Sequence, residues 1–280
     1  MNAGQVRAFL ARHSLVARRD LGQNYLCDVG LAQRLVGLAG VEPGDTVLEI
    51  GTGLGILTRA LAERAARVVT LEVDAGLVRA LRAESLLPSN VELLHADALA
   101  ADLLGLAAAA GAPVRLVANL PYSISGPLLR KLLDLHESLV DWSVMLQAEV
   151  GARLVAEPNT KDYGSLTVLH RLLVEVKREM KLSGGCFFPP PKVDSVFLRM
   201  RPLAQPALAL GELPELERFV RAAFGQRRKT LANALRGAGL DTRALGQQLD
   251  ALGLDPRARA ESLAPAELLA LSRALGGAVT

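Results

Sequence analysis

The sequence predicts an α/β fold: a Rossmann-like sheet followed by a small C-terminal all-helical domain. Three observations carry that prediction. Short apolar, strand-like runs alternate with segments of helical periodicity from Thr46 onward. Three glycines, Gly51, Gly53 and Gly55, stand directly after the first of those runs. Beyond a Pro/Ala-rich connector, "RPLAQPALALGELP" (201–214), only helical periodicity remains. Alternating strands and helices argue parallel strands joined by crossover helices that cover both sheet faces.

The elements follow in order. The opening stretch, "MNAGQVRAFLARHSLVARRD", is charged and amphipathic and lacks the apolar h-region of a secretory signal. "TVLEI" (46–50) is a strand that leads through the glycines into the helical "ILTRALAERA". "RVVTLEV" (67–73) leads likewise into "AGLVRALRAES", and "VELLHAD" (91–97) is a third strand. "GLAAAAGAP" (105–113) reads as a helix end and loop, and "VRLVAN" (114–119) as a fourth strand. "PLLRKLLDL" (127–135) is helical, and "DWSVMLQ" (141–147) is a fifth strand before the helical "AEVGARLVAE". "SLTVLHRLLVEVKREMKL" and "DSVFLRMRP" read as later strands. The tail offers "ELERFVRAAF", "RRKTLANALRGAG", "TRALGQQLDALG" and "PAELLALSRAL" as helices, with Gly239, Gly253 and Gly276 as stops. The expected domains are residues 1–204 and 205–280.

Composition bounds the function. At 280 residues, half of them apolar, the chain is long enough for a full core and a second, smaller one. A net charge of +3 permits an anionic partner, and where the cations cluster matters more than their sum. The two cysteines, Cys27 and Cys186, form no CxxC pair, so neither a metal site nor a disulfide framework is expected, and a reduced cytoplasm fits. His13, His95, His136 and His170 show no ligand spacing and read as structural; Trp142 reads as core. No uncharged apolar run approaches the length of a membrane span.

Candidate chemistry gathers at the ends of the strands. Gly51 and Gly53 let a ligand approach the backbone at the carboxyl end of the first strand. The spacing is GxGxG, not the GxGxxG of dinucleotide sites. Glu72 ends the second strand in "LEVD", where an acid accepts from both hydroxyls of a ribose. Asp97 ends the third in "HAD", where a carboxylate can take the amino group of an adenine. Glu49 adds another acid before the loop. A cationic sulfonium tolerates an acid-rich cleft that phosphates would not. The set therefore reads as an S-adenosylmethionine site and disfavours a nicotinamide dehydrogenase.

The fourth strand ends in "NLPYSIS" (119–125). Pro121 fixes its own φ and biases Leu120 away from helix, so the turn presents the Asn119 side chain in a defined geometry. Tyr122 adds a flat ring. The Asn119 amide oxygen and the Leu120 carbonyl can accept from an exocyclic amine and localise its lone pair. A stacked Tyr122 holds the base and faces the developing positive charge.

"LGQNYL" (21–26), "EIGTGLGILT", "LEVD", "HADAL", "NLPYSIS", "MLQAEV", "FFPPPKVDSV" (187–196) and "AAFGQRRKTLANAL" (222–235) together resemble the KsgA-type ribosomal RNA adenine dimethyltransferases over nearly the whole chain. The resemblance implies that Gln23, Asn24 and Leu26 fold over the cofactor as part of the first domain. It implies that Gly51 and Gly53 contact the cofactor, that Glu72 takes its ribose and Asp97 its adenine. Asn119 and Tyr122 match the target-amine and stacking positions, and Phe187 the aromatic closing the other face of the target adenine. Tyr25 stands where the family more often has Phe, and Ala148 and Ser165 where it often has Lys and Arg.

The basic cluster "GQRRKT" (225–230) places Arg227, Arg228 and Lys229 at the expected start of a helix. Cations there oppose the helix dipole, which points to an RNA phosphate partner; Arg18 and Arg19 could extend the track. The resemblance implies S-adenosylmethionine-dependent dimethylation of two adjacent adenosines in a 3′-terminal loop of small-subunit (16S) rRNA, coupled to assembly of the 30S subunit. The expected partner is that rRNA within a 30S assembly intermediate, with the protein monomeric and cytoplasmic. A large-subunit rRNA methyltransferase of the resistance type, or a non-catalytic ribosome assembly factor, are the alternatives.

Overall fold

In the computed structural model, residues 1–18, 20–111, 113–237 and 242–276 are described. The chain divides into two compact units, Met1–Gly151 with Lys177–Pro202, and Ala152–Val176 with Leu203–Thr280.

Residues that alternate in sequence fold as the alternation dictates. In chain order come α1 (Ala3–Arg12), β1 (Tyr25–Leu26), α2 (Val29–Ala39), β2 (Thr46–Ile50), α3 (Ile56–Ala62), β3 (Arg67–Glu72) and α4 (Ala75–Ala83). Then follow β4 (Val91–His95), α5 (Leu103–Ala109), β5 (Val114–Asn119), α6 (Ser125–Leu133), β6 (Leu139–Gln147) and α7 (Ala148–Leu154). After α8 (Ser165–Arg171) come β7 (Val174–Leu182), β8 (Phe187–Phe188) and β9 (Ser195–Pro202).

Seven strands form one sheet in the order β4-β3-β2-β5-β6-β9-β7. Strands β4 through β6 pair in parallel, and β9 pairs antiparallel to β6. The chain runs outward from β2 through β3 to β4, then returns to place β5 on the other side of β2. That reversal opens a crevice beyond the carboxyl ends of β2 and β5, where ligands of such sheets bind. A separate two-stranded sheet pairs β1 with β8, Tyr25 opposite Phe188 and Leu26 opposite Phe187.

Both faces of the main sheet are covered, so its central strands are largely apolar, with Glu49 of β2 and Arg115 of β5 as buried ionisable exceptions. Val47, Leu48 and Ile50 of β2 and Val114, Leu116, Val117 and Ala118 of β5 are all buried. Aspartates cap two of the helices. Asp28 caps α2 through Leu31 N–H at 3.0 Å, and Asp74 caps α4 through Gly76 N–H at 2.8 Å. α2 stops at Gly40, whose φ of 69° is left-handed.

The second unit differs from the sequence expectation in three places. The segment 152–176 packs with the C-terminal helices, although the domain reading placed it before residue 204. Its anchor is Tyr163, fully buried, whose hydroxyl donates to Leu263 O at 2.7 Å and whose ring meets Phe224 edge-on at 5.7 Å. The stretch "SLTVLHR", read as part of a strand, is α8; burial of Thr167 and Val168 on a helix overrides their β-branched character. Finally, α9 (Leu213–Phe224) ends before the basic cluster, and α10 (Leu231–Arg236) begins after it, capped by Thr230. Arg227, Arg228 and Lys229 therefore lie in the turn between the two helices, and the dipole argument for them does not apply. α11 (Thr242–Ala251) and α12 (Pro265–Ala274) follow. Gly253 and Gly276 stand just past α11 and α12 with φ of 67° and 59°, as helix stops do; Gly239 lies outside the described residues. Among the described residues no helix is long and apolar enough to cross a membrane.

Candidate active site

A cavity opens beyond the carboxyl ends of β2, β3, β4 and β5, with residues 21–26 along one wall. Gln23, Asn24, Leu26, Gly51, Gly53, Glu72, Asp97, Asn119, Leu120 and Tyr122 all line it. Parallel strands put every carboxyl end on one edge, so residues nearly 100 positions apart meet there.

The glycine loop is glycine for conformational and steric reasons. Gly51 and Gly53 have φ of 85° and 55°, in the left-handed region. A Cβ on Gly53 would also press on the Tyr25 ring at 3.2 Å. The loop is tied to β3 by Gly51 N–H donating to Leu71 O at 2.8 Å.

Glu72 is held by the backbone. Its Oε2 accepts from Gly53 N–H at 2.8 Å and its Oε1 from Asp74 N–H at 2.9 Å. Each oxygen keeps a lone pair, so the carboxylate can accept twice more from a diol. Burial raises its pKa, while the two N–H donors pull the other way. Asp97 accepts from Leu99 N–H through Oδ1 at 2.8 Å.

The 21–26 segment is internally braced. Tyr25 OH donates to Gln23 Oε1 at 2.6 Å, and Gln23 Nε2 donates to Asp74 Oδ2 at 3.1 Å. Tyr25, the departure from the family's more usual Phe, thus orients Gln23 through its hydroxyl. Asn119 Nδ2 donates to Asn24 O at 2.9 Å. A carbonyl only accepts, so that contact directs the Asn119 NH₂ to the wall and leaves its oxygen over. Asn119 Oδ1 is buried and has no hydrogen-bond partner among the described residues. A buried, unpaired acceptor costs about 1–3 kcal/mol and calls for a donor. Tyr122 OH shares a hydrogen bond of 2.5 Å with Ser195 Oγ at the start of β9.

Two expected contributors lie elsewhere. Phe187 does not line the cavity; only 2% exposed, it packs in the core with Leu26, Met145 and Phe197. Its register position opposite Leu26 puts it behind the cavity wall. Glu49 is also outside. It is fully buried and accepts from Thr58 Oγ1 at 2.7 Å and Thr70 Oγ1 at 2.6 Å. Burial, reinforced by Glu72, pushes its pKa up to about 8 against the pull of the two threonines, so it adds no fixed charge to the cleft at neutral pH.

Of the basic residues, Arg227 is engaged within the second unit. It donates to Lys161 O at 2.7 Å and pairs with Glu261 at 3.1 Å. Arg228 and Lys229 are exposed. Arg18 pairs with Asp20 at 2.6 Å, and Arg19 lies outside the described residues. No cluster of metal-ligating side chains occurs among the described residues.

The profile of the ribosomal RNA adenine dimethylases matches residues 15–275. The chain belongs to this family. Ribosomal RNA small subunit methyltransferase A of Geobacter metallireducens is 44% identical over 262 residues, which cover 92% of this chain and 95% of that one. Its namesake from Anaeromyxobacter dehalogenans is 43% identical over 281 residues, covering 96% and 97%. Among solved structures, a dimethyladenosine transferase from Plasmodium falciparum superposes with a TM-score of 0.73 at 25% identity, covering 88% of this chain and 95% of that one. The 23S rRNA methyltransferase ErmE superposes with a TM-score of 0.65 at 29% identity, covering 90% and 99%. As a member of the adenine dimethylase family, the enzyme uses S-adenosylmethionine and acts on rRNA adenine. The cavity fits that cofactor: a side-chain-free glycine cradle, a backbone-held carboxylate at Glu72 and a second carboxylate at Asp97 are what a nucleoside requires.

Proposed function

We propose that the enzyme dimethylates the exocyclic amines of two adjacent adenosines in a 3′-terminal loop of 16S rRNA, within a 30S assembly intermediate, as a cytoplasmic monomer. The buried, unpaired Asn119 Oδ1 carries the reading at the site. It is an acceptor awaiting a donor, and an exocyclic amine has two protons to give.

The residues divide the work. Gln23, Asn24, Leu26, Gly51 and Gly53 enclose the cofactor, with Glu72 on its ribose and Asp97 on its adenine. Bound S-adenosylmethionine supplies an electrophilic methyl group. Asn119 Oδ1 and the Leu120 carbonyl accept the protons of the target amine, which withdraws its lone pair from the ring and makes the nitrogen nucleophilic. Tyr122 stacks on the base, orients it and screens the positive charge that develops. The methylated nitrogen is acidic and loses its proton to solvent, so no strong base is needed. In the conformation described, Phe187 supports Leu26 instead of capping the target base. A looped, unstacked target follows from access, because a stacked adenine cannot present its amine to a cavity. Arg228 and Lys229 are the phosphate contacts in this reading.

The names of the relatives most similar in sequence favour the small subunit over the large. The decisive experiment offers labelled cofactor with separately purified small and large ribosomal subunits lacking the modification. Label in small-subunit rRNA as dimethyladenine is expected. Label confined to the large subunit would overturn the choice of substrate, and no transfer to either would support an assembly factor without catalysis.

A further inference from the structure

One cation of the first unit spends its donors on backbone carbonyls beside the cavity. Lys131, on α6, donates to three backbone carbonyls: Ala98 at 3.0 Å, Leu99 at 2.7 Å and Ala101 at 2.6 Å. An ammonium has three donors, and all three are spent on one turn. The turn is the one that follows Asp97. Its N–H groups converge on the aspartate: Ala100 and Ala101 donate to Asp97 O at 3.1 and 2.8 Å, and Leu99 donates to Asp97 Oδ1. Its carbonyls converge on Lys131. That bond fixes the carboxylate's orientation and leaves Oδ2, with the second lone pair of Oδ1, for a ligand in the cavity that Asp97 lines.

We propose that Lys131 is a positioning residue that sets Asp97 for recognition of the adenine amino group. The inference rests on the reading of Asp97 as the adenine partner. Asp97 is exposed and sits on a loop, where a single backbone rotation would redirect its carboxylate. Three charge-assisted hydrogen bonds from a rigid helix remove that freedom. The same helix follows the "NLPY" turn, and its Ser125 Oγ donates to Tyr122 O at 3.3 Å.

The test measures selectivity, which general loosening would not change. Calorimetry compares S-adenosylhomocysteine with its 6-oxo analogue, S-inosylhomocysteine, which lacks the amino donor. The unaltered enzyme should prefer the amino form by about tenfold or more, and Asp97→Ala should abolish the preference. Lys131→Met should lose the preference too, mainly by weaker binding of the amino form. Equal weakening of both ligands, or an unchanged preference, would overturn the role given to Lys131. If the unaltered enzyme showed no preference, or Asp97→Ala kept it, the reading of Asp97 would fail first and the proposal with it. Lys131→Arg keeps the charge but exchanges a three-way donor for a planar fork. Should the methionine variant not fold, reduced selectivity in the arginine variant supports the proposal and full selectivity refutes it.

Discussion

Tyr122 and Ser195 make a pair whose stability and catalytic contributions can be separated. Their hydroxyls lie 2.5 Å apart, and Ser195 is fully buried. Burial raises the Tyr122 pKa, so the phenol is neutral at physiological pH and does not serve as a base. Tyr122→Phe removes one partner and leaves the Ser195 hydroxyl buried alone. That should destabilise the fold by about 1–3 kcal/mol, and Ser195→Ala should cost about as much from the other side. Removing both leaves no orphan, so Tyr122→Phe with Ser195→Ala should be more stable than the sum of the single losses predicts, with a coupling on the order of 1 kcal/mol.

Catalysis should follow the ring and not the hydroxyl. Tyr122→Phe keeps the stacking face and should retain most of the single-turnover rate. Tyr122→Ala loses stacking worth roughly 1–3 kcal/mol per base, a fall of about five- to 150-fold. The assay is single-turnover methyl transfer to small subunits at saturating cofactor, beside urea denaturation of each variant. If Tyr122→Phe were as slow as Tyr122→Ala while still folded, the hydroxyl would be the working group and the stacking account wrong. If the two single losses simply added, the buried hydrogen bond would carry no stability.

Further outcomes are expected at Asn119, at Glu49 and in the basic turn. Asn119→Ala should fall below Tyr122→Ala in methyl transfer, because it removes the acceptor for the amine. It should also weaken cofactor binding, since Asn119 Nδ2 no longer ties Asn24; calorimetry showing unchanged cofactor affinity would separate the two asparagines. Glu49, with its folded pKa raised to about 8, binds a proton that the unfolded chain releases, so its contribution is complete at acid pH and drains away as pH rises toward that value. Glu49→Gln, a fixed mimic of the protonated acid, should therefore gain in melting temperature relative to the unaltered enzyme between about pH 5 and pH 8, and a pH-independent difference would show Glu49 to be ionised throughout. Replacing Arg228 and Lys229 by Ala should weaken RNA binding and flatten its salt dependence with cofactor affinity unchanged. Arg227→Ala should instead lower the melting temperature, because its guanidinium ties Lys161 O and Glu261; an equal loss of salt slope would return it to the RNA contacts.

What the sequence revealed and what it hid follow one physical division. Gly51, Glu72, Asp97 and Asn119 were legible because each ends or follows a strand, and parallel pairing carries strand ends to one edge whatever the chain does between them. Properties that depend on pairing across long stretches of sequence were not legible. Phe187 moves off the cavity because β8 pairs with β1, a partner some 160 residues earlier, and that register turns its ring into the core. Ser195 reaches Tyr122 from β9 for the same reason, and no local pattern around "KVDSV" marks it. Glu49 was a nearer miss. Side chains alternate along a strand, and Glu49 extends to Thr58 of α3 and Thr70 of β3, away from the crevice. A motif's residue types thus locate the site, but which atom of each side chain is left for a ligand is decided by tertiary partners. Asn119 makes the point most sharply: the sequence nominates the amide, and only the Asn24 carbonyl across the crevice determines that its oxygen, not its nitrogen, is the atom on offer.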